Sequence, residues 1–375
     1  MKKILLLTNT ASMVIQFNMR NIELLVKNNY EVHIGCNFEY GNTCSSDIVA
    51  DFKNNLLQSN KKFYQIDFGR NFSNIFSFFK VYNQINSILK KEKFDAIFCQ
   101  STIAGVFGRL LGRKHSCKVL YMVHGFQFYK GASILRWSIF YTLEKLLSSK
   151  TDILILTNKD DYGLALSKFK AKKTLYVPGV GIEINNYKRN ELEGEKIRKE
   201  LGISKSDFVI FSAGELSERK NLRVVLHVIH ELNMPNLKYL ICGIGLLENE
   251  FRTYIQENHL ENNIFLLGYR KDLCNIFSAA NLFVFPSFYE GLPVSLMMAL
   301  STRTPVVCSN IRGNKDLMND SNYMFDPKNK NMIKEKILMA MNSNNDTVVH
   351  ENYEAVQHFS SERVDNLMDE IFKTF

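Results

Sequence analysis

Glu290 is a carboxylate that stands where the sequence predicts the carboxyl end of a buried strand. The strand is the apolar run Leu282–Phe285, which is too short for a helix and is followed by a proline. After the loop comes a helical run, Val294–Leu300, and a second apolar strand begins at Val306. In such a βαβ unit the loop N–H groups and the helix dipole face a ligand crevice. On geometry alone, a packed βαβ unit with a surface glutamate explains the same pattern.

Two adjacent cations, Arg219 and Lys220, stand in the loop after an earlier predicted strand. That strand is the apolar run Val209–Ala213, which ends at Gly214, and the helix predicted next is Asn221–Leu232. A cation at the start of a helix can hold a diphosphate and stabilise it as a leaving group. For a single occurrence, the plain alternative is a solvated turn of charged residues.

A histidine, His124, follows a third apolar run, Val119–Val123, and precedes Gly125. At the carboxyl end of a strand, an imidazole can form a hydrogen bond with a hydroxyl group or with a developing charge. A lone histidine is more often a structural residue, so His124 alone indicates little.

Strands alternate with helices through residue 177 and again from residue 209, which predicts two doubly wound α/β domains. In the first half the predicted strands are Lys2–Leu7, Tyr30–Cys36, Lys62–Asp67, Asp95–Cys99, Val119–Val123, Ile153–Thr157 and Thr174–Val177. The helices predicted between them are Phe17–Asn28, Asn74–Lys93, Ala104–Leu111 and Ile134–Leu147. In the second half the predicted strands are Val209–Ala213, Lys238–Cys242, Ile264–Leu267, Leu282–Phe285 and Val306–Cys308.

The first Pro/Gly cluster, Pro178–Gly181, marks the predicted crossing between the domains, and a polar stretch, Asn185–Glu200, follows it. This predicts one domain over residues 1–180 and a second over residues 181–358. Residues 359–375 form a separate element, because Ser360–Phe375 has the apolar stripe of an amphipathic helix.

Composition excludes several classes of protein. A hydrophobic content of 46% with 23% charged residues is typical of a globular protein and argues against disorder. The seven cysteines are scattered without a C-x-x-C pair, which argues against a zinc site or a disulfide framework and favours a reducing compartment. The apolar run near the start, Ile4–Leu7, is too short for a signal peptide, and no stretch predicts a membrane-spanning helix.

The net charge of +9 lies unevenly along the chain. Residues 1–180 hold 25 Lys and Arg against 12 Asp and Glu, whereas residues 181–375 hold 22 against 26. A basic first half could meet an anionic membrane, a diphosphate-bearing acceptor or nucleic acid. Nucleic-acid binding ranks last, because no basic aromatic platform or known module accompanies the charge.

Several motifs in the expected order resemble glycosyltransferase family 4, a family of retaining, nucleotide-sugar-dependent enzymes with the GT-B fold. The strongest is FPSFYEGLPVSLMMALSTRTPVV, residues 285–307, which carries the first glutamate of the family signature as Glu290. The loop from Gly214 to Lys220 resembles the diphosphate-binding loop, although Glu215 stands where an arginine is common. The segments MVHGFQFYKG, YVPGVGIE, CGIGL, FLLGYRKD and IRGNKDL match further family motifs. The closest resemblance is to bacterial capsular and exopolysaccharide transferases.

The resemblance implies a GT-B fold of two Rossmann-like domains facing across a cleft, with the last helix crossing back to the first domain. It implies retaining transfer of a sugar from a nucleoside diphosphate, with UDP the commoner case, to a glycan or lipid-linked saccharide. Lys220, together with Arg219, would stabilise the departing diphosphate, so neither a metal nor another cofactor is expected. Glu290 would bind hydroxyls of the donor sugar, and His124 would contact the sugar from the opposite domain. The implied donor-binding residues are Gly214, Arg219, Lys220, Gly243, Gly245, Tyr269, Arg270, Glu290, Gly291, Leu292, Pro293, Val294 and Met298.

Met298 departs from the family pattern, because the second signature glutamate belongs at this position. In the family that glutamate binds the ribose hydroxyls, and a thioether accepts hydrogen bonds poorly. Losing a charged hydrogen bond costs roughly 1.5–3 kcal/mol. The alternatives to a working transferase are a noncatalytic nucleotide-sugar-binding homologue and a UDP-sugar epimerase of the same fold.

Peripheral attachment to the inner face of the cell membrane is a further hypothesis for a cytoplasmic enzyme with a lipid-linked acceptor. Two segments, Ile134–Leu147 and the Phe-rich Phe72–Lys91, could lie on an anionic leaflet. Buried helices with solvated lysine ends explain both segments equally well.

Overall fold

The computed structural model describes residues 1–69 and 75–375. The described chain divides into two compact units, one made of Met1–Val180 with Glu362–Phe375 and the other of Gly181–Ser361. Each is a layered α/β unit, as the alternation of strands and helices predicts.

The first unit is built on a parallel sheet. In the part of the unit that the structure describes, its strands are β1 (Lys2–Thr10), β2 (Tyr30–Asn37), β3 (Phe63–Gln65), β4 (Ala96–Cys99), β5 (Lys118–Val123), β6 (Ile153–Leu156) and β7 (Lys173–Tyr176). The helices around it are α1 (Ala11–Phe17), α2 (Met19–Lys27), α3 (Ser46–Gln58), α4 (Ile75–Lys91), α5 (Thr102–Lys114), α6 (Ile134–Ser148) and α7 (Lys159–Lys168). The strand order is β3-β2-β1-β4-β5-β6-β7, so the direction of winding reverses between β1 and β4.

The central strand β1 shows why this sheet is covered on both faces. Successive strand residues point to opposite faces, so Ile4 and Leu6 join one apolar cluster while Leu5 and Leu7 join another. All four side chains are fully buried. A continuous apolar run is therefore the pattern that this strand requires.

The C-terminal helix α16 (Ser361–Thr374) covers one face of the first sheet. Its apolar stripe is buried there, with the Phe372 ring 5.7 Å from that of Phe98 on β4. The Asn28 side chain donates to Asp369 at 2.6 Å, which fixes the helix at the end of α2.

The second unit also has a parallel sheet, ordered β10-β9-β8-β11-β12-β13. Its strands are β8 (Phe208–Ala213), β9 (Leu237–Cys242), β10 (Ile264–Gly268), β11 (Leu282–Phe285), β12 (Val306–Ser309) and β13 (Met324–Phe325). Its helices are α8 (Glu191–Glu200), α9 (Leu222–Leu232), α10 (Glu248–Glu257), α11 (Leu273–Ala279), α12 (Val294–Ser301), α13 (Asn314–Leu317), α14 (Lys330–Asn342) and α15 (Asp346–Gln357). The winding reverses between β8 and β11, which pair directly through Leu282 with Ile210 and Phe283 with Phe211.

Several predicted elements differ from the structure. The predicted helix Phe17–Asn28 corresponds to α2, and a separate helix, α1, which was not predicted, precedes it and ends just before Asn18. The polar stretch predicted as the domain crossing contains helix α8, which was missed because it has few apolar residues. In α8, Gly194 has no side chain to clash with the Ser278 carbonyl of α11, and a Cβ there would lie 2.6 Å from it.

Helices α3, α7, α13, α14 and α15 and strand β13 were not predicted either. Phe72 and Asn74, which begin two of the predicted segments, lie outside the described residues. Among the helices that the structure does describe, not one combines the length and apolarity needed to cross a bilayer.

Candidate functional site

The reversal of the second sheet brings two loops to the same edge. Strand β8 leads into the loop from Gly214 and a short 3-10 helix, Glu218–Lys220, before α9 begins. The neighbouring strand β11 leads through Pro286 into the loop that carries Glu290. Because β8 and β11 run parallel, their carboxyl ends meet where the strand order diverges, which is where open α/β sheets bind ligands.

Three charged side chains meet at this edge. The same Glu290 oxygen, Oε1, accepts from Lys220 Nζ at 2.8 Å and from an Arg219 guanidinium nitrogen at 2.7 Å. Lys220 and Glu290 are each only 8% exposed, and Arg219 is half-buried. Two cations against one carboxylate leave these three side chains with a net positive charge of about one, and the carboxylate of Glu215, 4.0 Å from Arg219, is exposed and screened by solvent.

Burial and pairing act in opposite directions on these groups. Burial alone would raise the pKa of Glu290, but the attraction of Lys220 and Arg219 outweighs it and lowers that pKa below its ordinary value. Burial lowers the pKa of Lys220, and the Glu290 charge opposes that shift. The carboxylate is therefore held ionised as the counterion of both cations.

The loops that carry these charges are held by hydrogen bonds to their backbone carbonyls, from both backbone and side-chain donors. The Phe288 N–H donates to the Arg219 carbonyl at 2.9 Å, and Arg312 Nε donates to the Glu290 carbonyl at 3.0 Å. Asn221, in the left-handed conformation with φ of 53°, donates its side-chain amide to two carbonyls, those of Pro286 and Pro327. The two charged segments are thus fixed in relation to one another.

Glycines of the CGIGL and IRGNKDL motifs allow these loops to pack backbone against backbone. A Cβ on Gly243 would lie 1.8 Å from the Gly214 carbonyl oxygen, and one on Gly245 would lie 2.3 Å from that of Leu216. A Cβ on Gly313 would lie 2.0 Å from the Gly291 carbonyl oxygen. A larger residue at Gly243, Gly245 or Gly313 would force the loops apart.

The other predicted donor-binding residues lie in the same unit, in loops and on a helix. Pro293 caps α12, and Leu292, Val294 and Met298 are half-buried against the apolar core. Tyr269 is exposed, whereas the neighbouring Arg270 pairs with Asp272 at 2.7 Å and with Glu200 at 3.2 Å. The structure therefore brings Arg219, Lys220 and Glu290 into direct contact and places Met298 against the core.

His124 lies in the first unit, directly after β5. Its Nε2 is 2.7 Å from Oε1 of Gln100, which follows β4. Burial lowers the pKa of His124 to about 4, so the imidazole is neutral near pH 7. With Nε2–H donating to Gln100, the tautomer leaves Nδ1 as an acceptor. His124 can therefore offer a hydrogen bond, but not a positive charge.

Three residues at these edges were not predicted as site residues. Gln100 sets the tautomer of His124, Arg312 holds the backbone at Glu290, and Asn221 joins two loops. Arg312 lies in the IRGNKDL motif, which is a local signal for it. Gln100 and Asn221 act through hydrogen bonds between segments far apart in sequence, which no local pattern indicates.

Family models match both halves of the chain. The model described as "Glycosyl transferases group 1" matches residues 193–355, and the one described as "Glycosyl transferase 4-like" matches residues 3–158. Together the two matches cover most of the sequence, in the order expected for the GT-B fold. The chain belongs to the GT-B glycosyltransferases. This confirms the predicted family resemblance and fold class.

This glycosyltransferase is similar to proteins named for polysaccharide synthesis. It is 27% identical over 252 residues to the putative glycosyltransferase EpsD of Bacillus subtilis, covering 65% of this chain and 66% of that one, just under two thirds. It is also 27% identical over 309 residues to an Escherichia coli protein named UDP-Gal:alpha-D-GlcNAc-diphosphoundecaprenol alpha-1,3-galactosyltransferase, covering 80% and 77%. A solved structure of Anabaena HepE in complex with UDP-glucose matches all of both chains with a TM-score of 0.76 and 18% identity.

Replacing Glu290 should destabilise the second unit of this glycosyltransferase. Glu290→Gln leaves two cations at the sheet edge without their counterion, and breaking a buried pair in this way costs about 3 kcal/mol. Hydrogen exchange of peptides from residues 208–325 measures the free energy of opening. The matched control is Glu215→Gln, whose exposed carboxylate lies 4.0 Å from Arg219 and should contribute no more than about 0.5 kcal/mol. Equal effects of the two substitutions would contradict the role of Glu290 as the shared counterion.

His124 should make the first unit less stable in mild acid. The ordinary histidine pKa is about 6.5, so between pH 6.5 and 4 the unfolded chain binds a proton that the folded chain does not. Stability should therefore fall as the pH decreases through this range, by up to about 3 kcal/mol from His124. Urea unfolding, followed by the fluorescence of the one tryptophan, Trp137, measures this change.

The variant His124→Gln should lose that part of the pH dependence. The control variant His115→Gln, in the same unit, should keep most of the dependence of stability on pH. If His124→Gln showed the same pH dependence as the unmodified protein, the neutral state of His124 near pH 7 would be excluded.

Proposed function

We propose that this glycosyltransferase moves a sugar from a UDP-sugar to a lipid-linked saccharide or glycan in the synthesis of a bacterial surface polysaccharide, with retention of anomeric configuration. The observation that carries the proposal is the charge cluster of Arg219, Lys220 and Glu290 at the reversal of the second sheet. Its net positive charge suits a diphosphate, which is the common part of every such donor.

The chemical step breaks the bond between the anomeric carbon and the diphosphate oxygen. The electron pair leaves with the diphosphate, and Lys220 and Arg219 stabilise the charge that develops there. The acceptor hydroxyl attacks from the same face, and its proton passes to an oxygen of the departing phosphate. Because two fixed cations supply the charge, we propose that the reaction needs no metal ion.

Glu290 and His124 take different roles in this proposal. Glu290 accepts hydrogen bonds from hydroxyls of the donor sugar while its pairing with Lys220 and Arg219 keeps it ionised. His124, neutral at physiological pH, serves as a hydrogen-bond partner for the substrate rather than as a cation. The backbone amides at residues 291–294, of which Pro293 provides none, complete the diphosphate site.

Met298 sets the expected strength of donor binding. Its side chain is half-buried against the apolar core of the second unit. A thioether there replaces a charged hydrogen bond to the ribose, so the diphosphate must provide a larger share of the binding free energy. We therefore propose a working enzyme whose affinity for the nucleoside part is modest.

The proposed acceptor class and cellular location draw on the relatives and on the first unit. The Escherichia coli relative is named for transfer to a diphosphoundecaprenol-linked sugar. The first 180 residues carry an excess of 13 positive charges, and helix α6 exposes several large apolar side chains. These features support a cytoplasmic enzyme that binds peripherally to the inner, anionic face of the cell membrane.

The test is turnover with a panel of UDP- and GDP-sugars and a saccharide linked through diphosphate to a polyprenyl lipid. We expect release of UDP from one donor, a product with the donor's anomeric configuration by NMR, and unchanged rates in EDTA. Release of a nucleotide without any transfer product, or an inverted product, would contradict the proposed reaction.

Lys220→Met should lower kcat by about 10²–10³-fold, because a positioned charge on the leaving group is lost. Lys328→Met, at an exposed loop position of the same unit, should keep the original rate. A comparable loss in both variants would exclude a specific role for Lys220.

A further inference from the structure

A pocket of about 340 Å³ lies in the first unit, at the edge where strands β5 and β6 begin. Three stretches line it, and each lies where a helix ends and the next strand begins. They fall within residues 112–118 between α5 and β5, residues 149–152 between α6 and β6, and at Lys172 just before β7. Because these strands are parallel, the three stretches meet at one edge of the sheet.

This edge is opposite to the one that carries the candidate site residues of the first unit. Lys118 is the first residue of β5, whereas His124 directly follows the last. The six strand residues span about 20 Å. A ligand in the pocket is therefore separated by the length of the strand from His124 and its partner Gln100.

The lining of the pocket is strongly basic. In the part of the chain that the structure describes, it holds one carboxylate, that of Asp152, and four cations, Arg113, Lys118, Lys150 and Lys172. Both oxygens of Asp152 are already in use, since one accepts from the Val119 N–H at 2.7 Å and the other from Lys172 Nζ at 2.6 Å. Asp152 thus neutralises Lys172 and leaves the other three cations of the lining without a carboxylate.

Two of those three cations have no polar partner. Neither Arg113 nor Lys150 forms a side-chain hydrogen bond or an ion pair with any residue that the structure describes. Lys118 donates to the Phe375 carbonyl oxygen at 2.8 Å. That bond uses one of the three N–H groups of an ammonium, so Lys118 keeps donors for a ligand.

Helix dipoles explain only part of this charge. Arg113 and Lys114 lie in the last turn of α5, where a cation stabilises the negative end of the helix. Lys150 lies beyond the end of α6, whose last turn already contains Lys145. Like charges around a concave surface repel one another and concentrate the positive potential there. An anion in the pocket would relieve that repulsion.

We propose that this pocket binds a small soluble anion with two or more neighbouring phosphate groups. Arg113 at the end of α5 and Lys150 after α6 bind the phosphate oxygens, and Lys118 donates from the start of β5. Several linked phosphates suit cations that come from separate stretches of chain, because each cation can then bind a different phosphate. The volume of the pocket lies within the range of small-molecule sites, about 300–1,000 Å³.

This inference goes beyond the proposed function, because no step of the sugar transfer uses the pocket. The proposed diphosphate site lies on the second sheet, at Arg219, Lys220 and Glu290. The pocket of the first unit is a second phosphate site, and its ligand acts as an effector and not as a substrate.

The experiment titrates inorganic tripolyphosphate into the full chain and follows hydrogen exchange by mass spectrometry. Peptides that cover residues 110–120 and 148–154 should become protected saturably. Peptides from residues 208–325 report the second unit separately, so a lack of phosphate binding there would count against the proposed function alone. Inorganic monophosphate at the same ionic strength should bind to the pocket at least about tenfold more weakly, because it pairs with fewer cations.

The double variant Arg113→Gln/Lys150→Gln should weaken the protection of the first-unit peptides by tripolyphosphate at least about tenfold, since two charged hydrogen bonds are lost. The matched control is Lys90→Gln/Lys91→Gln, which removes the same charge from exposed positions in the last turn of α4. This control should keep the midpoint of the unmodified protein. Urea unfolding of both double variants checks that they remain folded.

Three results would overturn the inference. Equal midpoints for monophosphate and tripolyphosphate would indicate screening of surface charge without a site. Equal losses of binding in the two double variants would remove the assignment to Arg113 and Lys150. Protection of the same peptides by anionic phospholipid vesicles, with none by tripolyphosphate, would indicate a membrane surface instead of a site for a soluble anion.

Discussion

Two cations held against one buried carboxylate are the interaction on which the second unit's site depends. Charges of this kind are costly to bury unless they are paired, and Glu290 provides the pairing for both Lys220 and Arg219. The carboxylate also keeps two mutually repelling cations close together. Because three charges sum to one positive charge, the cluster is stable without a ligand and still attracts an anion.

The fold supplies this arrangement through strand order and backbone contact. Pairing of β8 with β11 makes their two loops neighbours, and glycines at positions 243 and 313 let the loop backbones touch. The first unit uses the same reversal with different chemistry. There a neutral histidine and a buried amide line the edge, so the first unit offers hydrogen bonds where the second offers charge.

Much of this could be predicted from the sequence, because the signals were local. The buried strands are short apolar runs, and Glu290 and Lys220 lie in motifs directly after them. The sequence could not show that Lys220 donates a hydrogen bond to Glu290. The strands that carry them, β8 and β11, are separated by about seventy residues and become neighbours only in the sheet. Helix α8 was missed for a related reason: it packs through a glycine rather than through an apolar stripe.

Residues that act through long-range hydrogen bonds were the hardest to predict. Gln100 contacts His124 only because β4 and β5 are adjacent in the sheet. The neutrality of His124 likewise follows from burial, which a sequence motif does not report. The motif could therefore predict the position of the histidine but not its protonation state.

The most direct test of the central claim is a calorimetric comparison of UDP with UMP. The unmodified protein and the exposed-site variant Lys328→Met should bind UDP at least about tenfold more tightly than UMP, because the second phosphate meets the uncompensated charge. Lys220→Met removes that charge and leaves Arg219 paired with Glu290, so the two nucleotides should then bind within about threefold of each other. If Lys220→Met kept the full preference for UDP, the charge cluster would not be the diphosphate site.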